Sequence, residues 1–168
     1  TIMSNLGFIR FCEANDIRFS ATKVGDRYVL EEMLLEDYVF GGEQSGHIIF
    51  KDFATTGDGQ LSAVQLLAHI HRSGKKLAEL KTVMTKYPQL IVNIRTTDAA
   101  KLAFYTDDDV RAILDEGKEK LGDRGRLVVR PSGTEPLIRI MAEGEDEAFT
   151  EAIAKQVAER IEEKLKVY

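Results

Sequence analysis

Cysteine, long apolar runs and surplus positive charge are all scarce in this sequence, and each shortage removes a class of protein. Cys12 stands alone, so the chain can form no internal disulfide and no cysteine-based zinc cluster. With Phe8 and Phe11 beside it, Cys12 is expected to be a packed core thiol, the usual habit of a free cysteine. The apolar runs fall far short of the ~20 residues that a membrane-spanning helix needs. Lys and Arg number 23 against 28 Asp and Glu, a net charge of −5 that argues against broad binding to nucleic acid or anionic membranes. A local basic site remains compatible with that balance. No basic segment followed by an apolar stretch opens the chain, so no signal peptide is expected and the expected location is cytoplasmic. Repeats and low-complexity tracts are also lacking. There is no initiator methionine, and helical spacing begins within a few residues of Thr1, which predicts a fragment of a longer protein.

What is present is 168 residues of ordinary globular composition, 43% hydrophobic and 30% charged, with room for one domain or two small ones. Leu6, Phe8 and Ile9 open a helix that runs to Asn15-Asp16, and a short strand is predicted over Ile17–Thr22. Gly25-Asp26 starts a second helix with Val29, Leu30, Met33 and Leu34 as its stripe. Tyr38–Phe40 and His47–Phe50 read as strands of a hairpin around Glu43–Gly46. The turn Thr55–Gly59 caps a helix from Gln60 to about Arg72, and a shorter helix follows over Leu77–Met84. Residues 75–87 are the expected linker, separating a domain at 1–74 from another at 88–168.

In the second half, Leu90–Arg95, Leu127–Val129 and Leu137–Met141 read as strands. Asp107-Asp108-Asp109 opens a helix with Val110, Ile113, Leu114 and Leu121 on one face; the acidic triplet is expected to be a cap and a complement to the helix dipole, not a metal site. The last helix spaces Phe149, Ile153, Val157, Ile161 and Leu165 four apart, a core stripe. The second domain is therefore expected to be a small α+β layer sandwich.

Two loops carry chemistry. Arg130-Pro131-Ser132-Gly133-Thr134-Glu135-Pro136 is followed by Arg139. Arginine offers a planar fork of donors to phosphate oxygens, Ser132 and Thr134 add hydroxyls, and Gly133 lets main-chain N–H groups approach one anion. Pro131 and Pro136 restrict the loop at both ends. If the flanking strands pair, both arginines converge; Arg139 also interrupts an apolar strand, where an unpaired charge is costly. Spacing alone leaves a tight hairpin with solvated arginines equally open. The second loop, Gly41-Gly42-Glu43-Gln44-Ser45-Gly46-His47, places Glu43, Ser45 and His47 on one side if it is extended. Such a set suits a polyhydroxylated sugar, with His47 able to move a proton near neutral pH. A glycine-rich turn with incidental polar residues is the alternative. A Ser–His hydrolase is disfavoured, because Ser45 lies on no nucleophile elbow. His69 and His71, two apart on a helix, face different directions and make a poor metal pair.

Taken together, the Gly42–His47 and Arg130–Pro136 loops resemble the sugar-recognition and phosphate-binding loops of the α-D-phosphohexomutase superfamily. Thr22–Val29 and Thr55–Gly59 are similar to family segments in the same order, and the likeness covers essentially the whole chain. Gln44 and Ala54–Gly59 are most similar to the phosphoglucosamine mutase branch. The resemblance implies an α/β plus α+β fold: most of a three-layer α/β third domain, incomplete at its N-terminus, then a two-layer α+β fourth domain. It implies an isomerase that interconverts glucosamine 6-phosphate and glucosamine 1-phosphate through a bisphosphate, in amino-sugar and cell-wall precursor synthesis. Glu43 and Ser45 would hold sugar hydroxyls, with His47 as an auxiliary on the sugar or its phosphate. Arg130, Ser132, Gly133, Thr134 and Arg139 would hold the phosphate that is not transferred. The phosphoserine and the Mg²⁺ loop would belong to the parent's first and second domains, so this chain would hold no metal and be inactive alone. The implied partners are the phosphosugar and the parent's N-terminal domains, with a homodimer of the full-length enzyme also compatible. A sibling phosphomannomutase/phosphoglucomutase and a non-catalytic phosphosugar-binding module are the other readings.

Overall fold

Two helices of the first half begin where an Asn or Asp side chain accepts from their free N–H groups. The computed structural model describes all 168 residues, Thr1 to Tyr168, which divide into two units, Thr1–Lys86 and Tyr87–Tyr168. In the first unit, the Asn5 side chain accepts from Gly7 N at 3.0 Å to start α1 (Leu6–Ala14). Cys12 on α1 is 2% exposed, and burial followed by the Glu13 charge raises its thiol pKa, so it is the packed, inert thiol expected. Helix α2 (Asp26–Leu35) turns Val29 and Met33 inward. Strands β1 (Phe40–Gly42) and β2 (Ile48–Phe50) pair antiparallel, with Gly41 opposite Ile49. Gly41 has to be small, because a Cβ there would lie 2.3 Å from Met33 Sδ. Helix α3 (Gly59–Ser73) is capped by Asp58, which accepts from Gln60 N and Leu61 N, both at 2.9 Å, and it stops at Gly74 with φ 64°. Val29, Met33 and Ile49 form the core of this unit, with Leu30 and Tyr38 packed against them.

One expectation needs correction here. Ile17–Thr22 forms no strand: Ile17 N closes back on Cys12 O, and only Ile2 N reaches the other end of the stretch, at Thr22 O. Its apolar residues pack instead of pairing, as in the edge-on contact between Phe8 and Phe19 at 5.7 Å. Residues 75–86 lie within the first unit and carry α4 (Leu77–Leu80) followed by a 3₁₀ turn, Lys81–Val83.

The second unit is a two-layer α+β sandwich. Strands β3 (Gln89–Arg95), β4 (Gly125–Pro131) and β5 (Leu137–Gly144) form an antiparallel sheet in the order β3-β5-β4. Helices α6 (Asp108–Leu121) and α7 (Glu147–Leu165) pack on it, and the short α5 (Asp98–Ala103) follows β3. The alternation of β5 decides its two faces. Ile138, Ile140 and Ala142 join the core with Val110, Ile113, Leu121, Ile153, Val157 and Ile161. Arg139, Met141 and Glu143 alternate with them, and the fully buried Glu143 accepts from Gln89 Nε2 at 2.6 Å and from Arg126 Nε at 2.7 Å. The acidic triplet is the expected cap: Asp107 accepts from Asp109 N and Val110 N at 2.9 and 3.1 Å.

Candidate phosphate cradle and sugar loop

Arg130 is the last residue but one of β4, Arg139 is the third of β5, and the register sets the two directly opposite each other. Like charges at a directly opposed cross-strand pair destabilise a sheet. The Nε of each arginine is buried and has no hydrogen-bond partner. Burial, and then the charge of Arg139, hold the Arg130 guanidinium pKa below its usual value. Glu135 pairs with Arg139 through Nη2 and leaves Arg130 without an ion pair. The hairpin thus holds two converging cations at a cost to itself, and an anion at that end would remove the cost.

The loop between them is organised by its own main chain. Ser132 N donates to Leu137 O at 2.8 Å, and Glu135 N donates to the Ser132 hydroxyl at 3.2 Å. Thr96 N, just past β3, donates to Pro136 O at 3.0 Å, and Lys101 Nζ donates to Glu135 O at 3.2 Å. Ser132 is buried, whereas Gly133 and Thr134 are exposed. A Cβ on Gly133 would meet nothing within 4 Å, so the loop's present conformation does not itself require glycine there.

In the first unit, Glu43–Gly46 closes as a turn: Gly46 N donates to Glu43 O at 3.0 Å, and Glu43 N donates to His47 O at 2.9 Å. Gly46 has φ 99°, open to glycine at no steric cost. The extended alternation expected for Glu43, Ser45 and His47 is therefore absent, because Ser45 occupies a central position of the turn. Glu43 is half-buried and its carboxylate accepts from Gly25 N at 3.0 Å, at the start of α2; Ser45 and His47 are exposed. The His47 ring lies over Gly57, where a Cβ would come within 3.1 Å of it. A cleft of about 510 Å³ in the same unit runs from Phe8, Cys12 and Phe40 to Glu43. Its largely apolar walls suit hydrocarbon better than phosphate.

No three His, Cys, Asp or Glu side chains converge in this chain. The residues present therefore do not fit a Mg²⁺ ion. Sequence reasoning missed Thr96, Lys101 and Glu135 as parts of the loop's support. Thr97-Asp98-Ala99-Ala100-Lys101 does carry a readable signal, an N-cap hydroxyl before helix-forming residues.

A two-layer unit with an arginine-flanked hairpin loop follows a unit with a Gly-Glu-Gln-Ser-Gly-His turn, and comparison with known proteins identifies the family to which both belong. Residues 1–87 match the family described as phosphoglucomutase/phosphomannomutase, alpha/beta/alpha domain III, and residues 91–160 match its C-terminal domain. The chain belongs to the phosphoglucomutase/phosphomannomutase family. It is 48% identical over 98% of its length to the phosphoglucosamine mutases of Caldanaerobacter subterraneus subsp. tengcongensis and Alkaliphilus metalliredigens. It spans about 37% of the length of those relatives. Among solved structures, the Aspergillus fumigatus N-acetylphosphoglucosamine mutase shares its fold, with a TM-score of 0.83 at 17% identity over 96% of this chain and 37% of that one. Another structure of the Aspergillus enzyme, in complex with GlcNAc-6P and magnesium, gives a TM-score of 0.75 at 16% identity over 96% of this chain and 40% of that one. No helix is long and apolar enough to cross a membrane.

Proposed function

We propose that this chain is the substrate-binding part of a phosphoglucosamine mutase, interconverting glucosamine 6-phosphate and glucosamine 1-phosphate through a bisphosphate. The observation that carries this reading is the directly opposed Arg130–Arg139 pair with both Nε atoms buried and unpartnered. A phosphate dianion supplies the two acceptors and the negative charge that this pair lacks. Ser132 and Thr134 add hydroxyl donors, and exposed Gly133 lets an oxygen approach its N–H without a side chain between. Glu43 and Ser45 serve sugar hydroxyls, with His47 as an auxiliary group on the sugar or its phosphate.

One fixed phosphate site accepts either end of a substrate that must react in two orientations. In phosphoryl transfer, positioning and charge stabilisation carry most of the catalysis, and this chain contributes the positioning. The phosphoryl donor and the Mg²⁺ belong, on this reading, to the parent enzyme's other domains. The identity to relatives named phosphoglucosamine mutase favours that substrate over mannose or glucose phosphates.

Arg130→Ala tests the assignment. Losing a hydrogen-bonded charged contact is worth ~1.5–3 kcal/mol, so phosphate or glucosamine 6-phosphate should bind this variant roughly 10- to 100-fold more weakly by calorimetry. An affinity equal to that of the unmutated chain would sink the cradle.

A further inference from the structure

The phosphate loop is held from its outer side by a segment that none of the expected site residues occupies. Lys101 stands on α5, whose start Thr97 caps by accepting from Ala100 N at 3.1 Å. Ala100 and Ala103 are 1% and 8% exposed in the core of the second unit, so the helix is anchored. From there the Lys101 side chain, 19% exposed, brings its ammonium to Glu135 O at 3.2 Å. Thr96 N holds the next carbonyl, Pro136 O, at 3.0 Å. Glu135 therefore links two cations: its carboxylate pairs with Arg139, while its carbonyl accepts from Lys101.

We propose that Lys101 is a positioning residue for the phosphate cradle, fixing the Ser132–Glu135 segment through the Glu135 carbonyl and adding a third positive charge beside the arginine pair. This rests on the reading of Arg130–Arg139 as an anion site. A lysine serving only the surface would keep its head in water. Its other neighbour, Asp98, lies at 3.4 Å with a carboxylate 92% exposed, and an exposed pair of that kind contributes little. A bond to a loop carbonyl differs, because it orders the N–H groups of Gly133 and Thr134 before an anion arrives. Ordering the loop beforehand lowers the entropy lost on binding. The ammonium charge, held at the Glu135 carbonyl, acts in the same direction.

The test uses the whole 168-residue chain and inorganic phosphate as the probe, with Lys101→Met, Lys101→Arg and Arg130→Ala compared by calorimetry. Lys101→Met should weaken phosphate binding about five- to tenfold, and Lys101→Arg, which keeps charge and donor, should restore most of it. In ¹⁵N spectra without phosphate, the Gly133 and Thr134 amide signals should shift in Lys101→Met and return in Lys101→Arg. That second measurement separates a positioning role from a loss of stability. If Arg130→Ala loses affinity while Lys101→Met stays within about twofold of the unmutated chain and its loop amides do not move, the lysine is incidental and the cradle stands. If Arg130→Ala binds as well as the unmutated chain, the cradle fails and the role of Lys101 fails with it.

Discussion

Arg130 shows how a residue proposed for binding can work against the fold that carries it. It faces Arg139 across the sheet, is partly desolvated, and leaves its Nε without an acceptor. Replacing it with Met keeps much of the aliphatic contact and removes both the repulsion and the orphaned donor. The gain should be about 1 kcal/mol, which for a unit of this size raises Tm by roughly 4–8 °C. A scan of Arg130→Met without phosphate checks this, and a Tm below that of the unmutated chain would show that Arg130 is structural. The convergence of this pair was legible in the sequence, because Arg130 closes one apolar run and Arg139 lies near the start of the next, so a hairpin of the two brings both to one end. Glu43, Ser45 and His47 were less legible. Their expected alternation assumed extended backbone, whereas the bond from Gly46 N to Glu43 O closes a turn that no periodicity reports.

At the scale of elements, the long amphipathic segments were the readable ones. Helices α6 and α7 declare themselves through stripes that become the core, while the six-residue α5 has too little periodicity to stand out. The Ile17–Thr22 pattern misled for the complementary reason, since alternation signals a strand only where a partner offers a ladder. The contact between α6 and α7 also carries a pH dependence. Glu116 on α6 binds Lys120 at 2.7 Å and Arg160 of α7 at 2.5 Å. The hydrogen bond from Lys120, then that from Arg160, holds its carboxyl pKa down to about 2. A carboxyl with a lowered folded-state pKa stabilises above its unfolded pKa, ~4.3, and that contribution fades as the pH falls through the folded value. Glu116→Gln should therefore melt below the unmutated chain at pH 6, and the gap should close as the pH approaches 2. A gap that stayed constant from pH 6 to pH 2 would place the effect in packing and not in charge.

The molecule as a whole is uneven in how deeply it buries its elements. The first unit has a core cluster of only three buried residues, Val29, Met33 and Ile49, with Cys12 buried besides, and its longest helix, α3, buries none of its side chains fully. Val64 and Leu67 on α3 are 62% and 64% exposed. In the second unit, β5 and α7 share a continuous interior in which Ile138, Ile140 and Ile161 have no exposed surface. Few buried contacts mean low-energy local opening, so α3 amides should exchange with solvent well before those of β5 and α7. Phosphate then discriminates further, because a ligand stabilises only the state that binds it. At 100 times its Kd it adds ~2.7 kcal/mol to the opening of the unit that holds the arginine pair. Amides of β4 and β5 that exchange only by unfolding of that unit should slow about 100-fold, while those of α3 keep their rates. Hydrogen exchange followed by mass spectrometry, with and without saturating phosphate, reads both units at once. Equal slowing in α3 and β5 would mean that the anion is held elsewhere than at Arg130 and Arg139; slowing confined to the second unit would locate it there.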